Sequence, residues 1–351
     1  MSPIKPRPPL RIGILGCAHI ARQFSRDVAS SEQARVVAVA SRNADTAAAF
    51  ALDQGIDRHY GSYEALLSDD EIDAVYVPLP NSLHAEWAIK AAEAGKHVLC
   101  EKPLAVRRDE AAAMFDAARR HGVMLLEAYP YYFQPQTGAM LDLLRQGAIG
   151  SVRSIQASFG FTLASPQGNI RMNPELGGGA LLDAGSYPLS LIRLVMGCAP
   201  QRVRADASWA ESGVDMSLMA TLYYADGARA QLSCAMDTAN HRLAHIVGTQ
   251  GAITTEFLNH TSANAGDHPF GYLPSQLRLR RGTAQAIAFE DVRSDTGSGF
   301  RFAVEAFAKV IAERDFDAID RAAEASLDNM ATLEAVAQSA REGRAFDIEK
   351  R

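Results

Sequence analysis

Cysteine is scarce: the 351-residue chain carries only 4, at Cys17, Cys100, Cys198 and Cys234, with no paired spacing among them. Neither a disulfide framework nor a zinc site follows from such scatter, and reduced, mostly buried thiols are expected. Basic charge is not in excess either. A formal net charge of −6 gives no general attraction to nucleic acid or to an anionic membrane surface, so any anionic ligand must be held by a local site. No apolar run is long enough to cross a bilayer, and the opening MSPIKPRPPL lacks the hydrophobic segment of a secretory signal. A cytoplasmic location is the expectation. Internal repeats and low-complexity tails are absent as well. The composition is instead 48% hydrophobic and 22% charged, enough to bury a large core, with two domains expected at this length.

The first third alternates short apolar runs with helix-like segments. RIGILG (11–16), ARVVAVAS (34–41), DAVYVPLP (73–80), HVLCEKPL (97–104) and VMLLEAY (123–129) are continuous rather than alternating in polarity. Strands covered on both faces look like that. Alanine-rich, helix-favouring stretches lie between them, with Asn43 and Asn81 at N-cap positions and Gly95 and Gly122 where helices should end. A doubly wound parallel sheet over 1–128 is predicted. Beyond about residue 130 the rhythm changes. SVRSIQASFGFTL, QRVRADASWAE, DMSLMATLYYADG, ARAQLSCAMD, HRLAHIVGTQGAITTEF and QLRLRRGTAQAIAFE read as strands joined by short turns, which predicts a mostly antiparallel sheet over 129–351. Helices are predicted over 180–197, 301–314 and 321–343, and a long loop over 259–272. The fold class is α/β, with a second α+β domain.

The first chemical signal sits at the first strand–helix turn, where Gly16, Ala18 and Ala21 occupy the three small positions of a dinucleotide fold. Gly16 permits the tight turn, and the helix start across Cys17, Ala18, His19 and Ile20 offers backbone donors to a pyrophosphate. At the end of the second strand stand Ser41 and Arg42 rather than an acid. A guanidinium with a hydroxyl beside it suits a 2′-phosphate, so NADP is preferred, with NAD possible. The fifth strand then delivers Glu101 and Lys102 to the carboxyl edge of the sheet, and Pro103 stiffens the turn. A lysine there can stabilise the negative charge that grows on a carbonyl oxygen as hydride arrives. His241 and His245 are spaced like metal ligands, but they lie in a strand-like run without a third partner, and no metal is expected.

In order and spacing, GILGCAHIA, VPLPNSLHAEWAIKAAEAGKHVLCEKPLA, EAYPYYFQPQ and NIRMNPELGGGALLDAGSYPLSLIRLVMG resemble the glucose-fructose oxidoreductase / inositol dehydrogenase / rhizopine catabolism family. The resemblance spans about 10–345. It implies a Rossmann domain followed by an open sheet domain that often forms the oligomer, as a homodimer or homotetramer, with the last helices packed back on the first domain. It assigns Lys102 as the catalytic lysine, with Asp183 and Tyr187 as its second motif. Tyrosine at 187 is like the sugar dehydrogenases and dihydrodiol dehydrogenase rather than the inositol dehydrogenases. Pro78, Leu79, Pro80 and Asn81 resemble the loop around ribose and nicotinamide. Arg171 matches an arginine near cofactor and substrate, and His84 has either a structural or a substrate-facing place. Many relatives have arginine and histidine where this chain has Tyr132 and Gln134, a departure on the expected substrate side. Tyr129, Tyr131, Tyr132 and Phe133 are either a sugar-stacking surface or core.

The four-residue spacing of Asp183 and Tyr187 puts them on one helical face, although Pro188 interrupts the backbone there. A phenol with a pKa near 10 is a poor proton donor or acceptor at neutral pH without a nearby cation, and Lys102 is the candidate. The expectation is therefore an NADP-dependent oxidoreductase acting on CH–OH/C=O groups of a sugar or similar polyhydroxylated ring. A trans-dihydrodiol dehydrogenase or a nucleotide-linked keto-sugar reductase is the alternative substrate choice. A non-catalytic dinucleotide sensor is a third class, for which the intact Lys102, Asp183 and Tyr187 have no use.

Overall fold

The structure, a computed structural model, describes residues 8–256, 275–295 and 297–348; the loop expected over 259–272 lies outside them. Strands β1 (Leu10–Leu15), β2 (Ala34–Ala40), β3 (Arg58–Tyr60), β4 (Ala74–Val77), β5 (His97–Glu101) and β6 (Leu125–Ala128) form the first sheet. All pair in parallel, in the order β3-β2-β1-β4-β5-β6. Every residue of β4 is buried, which is why its sequence carries no polar alternation. Helices α1 (His19–Val28), α2 (Ala44–Gln54), α3 (Tyr63–Leu67), α4 (His84–Glu93) and α5 (Arg108–His121) cover the two faces. Between β1 and β4 the winding reverses, and the chain leaves these two strands in opposite directions. A crevice opens at their carboxyl ends. The Asn43 side chain caps α2 by accepting from the Thr46 N–H at 2.9 Å. Asn81 is not a helix cap: it begins a 3₁₀ turn, Asn81–Leu83, and turns its amide elsewhere. Strand β3 escaped the sequence reading because three residues, RHY, carry no periodicity.

The second part contains α6 (Pro135–Arg145), β7 (Val152–Thr162), a π-helical segment (Leu181–Gly185) running into α7 (Ser186–Met196), then β8 (Arg202–Trp209), β9 (Asp215–Tyr223), β10 (Arg229–Ala235), β11 (Asp237–Gly248), β12 (Gly251–Thr255), β13 (Leu277–Arg281) and β14 (Glu290–Val292). Helices α8 (Gly299–Glu313) and α9 (Phe316–Glu342) and the short β15 (Phe346–Asp347) complete it. The sheet order is β14-β13-β12-β11-β7-β10-β9-β8-β15. Its pairs are antiparallel except β7 with β10. That parallel pair arises because the chain leaves β7 through α7 and returns by way of β8 and β9. Helix α6 was not anticipated, since Pro135 and Gly138 obscure its short apolar face.

Helices α8 and α9 return to the first sheet. Phe300, Val304, Phe307 and Ile319 share a core with Ile12, Phe24 and Tyr76, and Phe24 stacks on Tyr76 at 3.9 Å while meeting Phe300 edge-on at 5.4 Å. Glu127 at the end of β6 is the polar counterpart of this junction. Its carboxylate accepts from the Leu104 N–H at 2.9 Å and from the Ser326 hydroxyl of α9 at 2.6 Å. Burial, opposed by those bonds, pushes the carboxyl up to about 7. A folded-state value above the unfolded one means that stability is full at acid pH and is lost as pH rises from about 4.3 toward that value. Glu127→Gln retains an acceptor for Leu104 and does not titrate, so its melting temperature should fall less than that of the parent between about pH 5 and 8. Parallel curves of melting temperature against pH would show that Glu127 does not carry this dependence.

Candidate active site

The crevice at the carboxyl ends of β1, β4 and β5 is closed on its other side by β7, β11 and the π segment. It has a volume of about 830 Å³, within the ~300–1,000 Å³ usual for small-molecule sites. Lys102 enters it from the turn after β5, where the Lys102–Pro103 peptide is cis. Its ammonium donates to the Asp183 main-chain carbonyl at 2.9 Å and to the Asp183 carboxylate at 3.3 Å. It also lies 4.7 Å from the centre of the Tyr187 ring, within cation–π range.

Pro188 explains why that carbonyl is open to a lysine. In a π turn the carbonyl of residue i accepts from the N–H of residue i+5, which for Asp183 is Pro188, a residue with no N–H. Lys102 and, at 3.4 Å, the Ser186 hydroxyl supply the missing donors. Asp183 and Tyr187 do fall on one side of the helix, as the spacing predicted. Pro188 does not break it but lies inside α7, in the first turn after the π segment.

The second carboxylate oxygen of Asp183 accepts from Arg171 Nε at 2.5 Å, so one acid holds two cations. Burial acts to raise the Asp183 pKa, but Lys102 and Arg171 outweigh it and hold the carboxyl below its usual range. Burial likewise acts to lower that of Lys102, and the neighbouring Tyr187, Asp183 and Glu101 overcome it and raise the value. Both groups are therefore charged through the neutral range. Their side chains are 10% and 19% exposed, so the pair is only partly screened by water. Glu101 accepts from the Tyr76 hydroxyl at 2.5 Å, and burial raises its pKa despite Lys102.

The crevice also fits a dinucleotide. Helix α1 begins at His19 with no side chain capping its first N–H groups and no acid in its first turn, and Ala18, His19 and Ile20 line the cleft there. That open helix start is where a pyrophosphate would be held. Gly16, at φ +113°, lies beneath Leu79, and a Cβ in its place would come within 3.0 Å of the leucine. Pro78, Leu79, Pro80 and Asn81 line the same wall. Asn81 donates to the Gly177 carbonyl at 2.8 Å, tying this loop to the glycine-rich turn. At Gly178 a Cβ would run into the Arg171 carbonyl, so that turn is needed for close approach. His84 reaches the cleft wall, yet both ring nitrogens are occupied, by the Pro103 and Leu79 carbonyls at 2.9 and 2.8 Å. It joins two loops structurally. Ser41 and Arg42 lie at the end of β2, outside the cleft lining. Arg42 is exposed and forms no ion pair among the described residues.

Other expectations change. Tyr129 and Tyr131 are 1% and 0% exposed, packed edge-on behind Tyr187 and on one another; they are core, not a sugar platform. Tyr132 and Gln134 do not line the cleft either: the first donates to the Ser190 carbonyl and the second to that of Gly297. Phe159, Phe161, Ile170, Asn240 and Arg242 do line it, and none was singled out from the sequence. The phenylalanines sit in an alternating strand, which identifies an inward face but not what that face borders. Among the described residues no group of three His, Cys, Asp or Glu could hold a metal, and no helix is long and apolar enough to cross a membrane.

Residues 10–129 match the family described as "Oxidoreductase family, NAD-binding Rossmann fold", and residues 138–254 match its "GFO/IDH/MocA C-terminal domain". The chain belongs to the GFO/IDH/MocA oxidoreductase family. This GFO/IDH/MocA protein is 36% identical over 341 residues to D-xylose 1-dehydrogenase (NADP(+)) 2 of Haloferax volcanii, covering 97% of this chain and 100% of that one. It is 38% identical over 247 residues to the trans-1,2-dihydrobenzene-1,2-diol dehydrogenase of Danio rerio, 70% of this chain and 73% of the relative. A 3-ketoreductase from Actinomadura kijaniata, solved with NADP and TDP-benzene, superposes with a TM-score of 0.82 at 33% identity, covering 94% of this chain and 98% of its own.

Proposed function

We propose that the protein is an NADP(H)-dependent dehydrogenase/reductase that interconverts CH–OH and C=O on a sugar or similar polyhydroxylated ring. The observation that carries this is the Lys102 ammonium, bonded to Asp183 and 4.7 Å from the Tyr187 ring centre, at the strand ends of a dinucleotide-type sheet. When bound, the nicotinamide supplies or accepts the hydride. In the reducing direction Tyr187 gives its phenolic proton to the substrate oxygen, and in the oxidising direction it takes that proton back. Lys102 holds the negative charge that passes between the two oxygens. Asp183 fixes the ammonium from one side while Arg171 fixes Asp183. Residues 1–128 bind coenzyme and residues 129–351 shape the substrate side. A panel of aldoses, keto-sugars and trans-dihydrodiols followed by NADPH absorbance tests this reading. Turnover of none of them by protein that binds NADPH would favour a sensor role.

The relatives favour three narrower substrate choices, a free aldose, a nucleotide-linked keto-sugar or a trans-dihydrodiol. The open face of the nine-stranded sheet, with Met219 71% and Leu243 47% exposed, is where a second copy docks to give a homodimer or homotetramer. Four free thiols suit a reducing, cytoplasmic setting.

Coenzyme choice has its own test. An exposed arginine contributes one charge-assisted contact to a 2′-phosphate, so Arg42→Ala should raise KM for NADP by about 10- to 100-fold. KM for NAD should stay unchanged. A parent enzyme that strongly prefers NAD, with a preference indifferent to Arg42→Ala, would contradict the assignment of Ser41 and Arg42.

A further inference from the structure

Strand β11 turns one row of side chains toward the core, where Ala244 and Ile246 are 2% and 0% exposed. Side chains along a strand alternate between faces, so Arg242 is the next member of that inward row. There the core gives way to the cleft, and Arg242 lines its wall. The sheet register sets Arg242 directly across from Phe159 of β7, and the guanidinium carbon lies 5.8 Å from that ring's centre. Phe159 also packs against Tyr187, with ring centroids 5.1 Å apart. The arginine thus stands one aromatic ring beyond the group placed to transfer a proton.

Its charge has no carboxylate counterpart among the described residues. Arg242 is half-buried, yet it forms no ion pair among the described residues. The acids nearby are already committed, Asp183 to Lys102 and Arg171 and Glu101 to the Tyr76 hydroxyl and the Lys102 N–H. Among the described residues, Lys102, Arg171 and Arg242 face only the acids Glu101 and Asp183 along the cleft wall, a local positive excess in a chain of net charge −6. A guanidinium held partly out of water without a partner is unfavourable until a ligand supplies the opposite charge. Its planar fork, steadied on an aromatic face, suits a carboxylate or phosphoryl group. The coenzyme's own phosphates have another place, at the open start of α1 and beside Arg42.

We propose that Arg242 recognises an anionic group, carboxylate or phosphoryl, carried by the substrate away from its reacting carbon, so that the preferred substrates are acidic sugars rather than neutral ones. The proposal rests on the oxidoreductase reading above. The test is an equilibrium titration of the NADPH-loaded, full-length enzyme with D-glucuronate, D-glucose 6-phosphate and D-glucose, read by the fluorescence of bound NADPH. At least one acidic sugar should bind about ten-fold or more tightly than glucose, and Arg242→Gln should remove that advantage while leaving the affinities for glucose and NADPH unchanged. The glucuronate and phosphate arms distinguish the two acid types. Equal binding of all three sugars, or an acid preference that survives Arg242→Gln, overturns the proposal. So does a variant that loses NADPH affinity, which would assign Arg242 to the coenzyme. Parent protein that takes up no NADPH overturns the oxidoreductase reading itself.

Discussion

Lys102→Met is expected to lower kcat by about 10³-fold or more, with NADPH binding little changed. One preorganised donor aimed at a developing oxyanion is worth about 10²–10³. Lys102 has a second role here, since its ammonium also stands 4.7 Å from the Tyr187 ring centre and supports charge left on the phenol. Methionine keeps the length and the apolar stem but none of the charge. The change also leaves the largely buried Asp183 carboxylate with Arg171 as its one remaining cation among the described residues, and since breaking a fully buried pair costs about 3–5 kcal/mol, a loss below that range is expected for this partly screened one. A lower melting temperature should therefore accompany the loss of rate. The double variant Lys102→Met/Asp183→Asn separates the two effects: it should regain stability and remain inactive. Single-turnover rates at saturating NADPH are the deciding measurement, and a rate within a few-fold of the parent would sink the assignment of Lys102.

Tyr187→Phe should lower kcat by about 10²–10⁴, the range for a positioned proton donor, while leaving the fold almost untouched. The ring is 4% exposed and packs against Tyr129, Tyr131 and Phe159, contacts that phenylalanine retains. The Lys102 cation–π contact also survives. Only the hydroxyl is removed, so the melting temperature and the NADPH affinity should match those of the parent. The pH profile adds a check that packing alone would not move. Asp183 is held below its usual range and Lys102 above its own. The Asp183 contribution is present above its unfolded value near ~3.9 and is lost only as pH falls through the depressed folded one. The Lys102 contribution is present below ~10.4 and is lost as pH rises through the raised folded one. The ion pair is therefore constant between those limits, and any kcat limb inside them belongs to another group. If that limb vanishes in Tyr187→Phe, the phenol carries it; if it persists unchanged, proton transfer lies elsewhere.

Much of the first sheet is legible along the chain because its signals are local. Continuous apolar runs such as AVYV mark strands buried on both faces, and the Gly16 turn and the Asn43 cap act over a few residues. The lysine at the end of β5 is legible for the same reason: a strand that ends in charge is ending at a sheet edge. Where the reading went astray, local rules were silent or competed. Asn81 looks like a helix cap but bonds to Gly177, 96 residues away. The tyrosine cluster after β6 fitted either a ligand platform or core from the sequence, and only the tertiary packing makes Tyr129 and Tyr131 core. Pro188 seemed to threaten the Asp183–Tyr187 spacing, whereas its missing N–H leaves an open carbonyl that Lys102 occupies.

Composition and periodicity suffice to say that this chain builds a parallel nucleotide-type sheet and then a largely antiparallel one; that Lys102, Asp183 and Tyr187 are candidate reactive side chains comes from motifs resembling the family's. The first conclusion needs only the preferences of short segments. The cleft itself is a different matter. Its far wall, with Phe159 and Arg242 facing each other across β7 and β11, depends on strand register and on how two sheets meet. Lys102 and Asp183 are 81 residues apart, and chain separation carries no information about such contacts: they form because burying the shared core sets both elements at one distance, with one face of each toward the cleft.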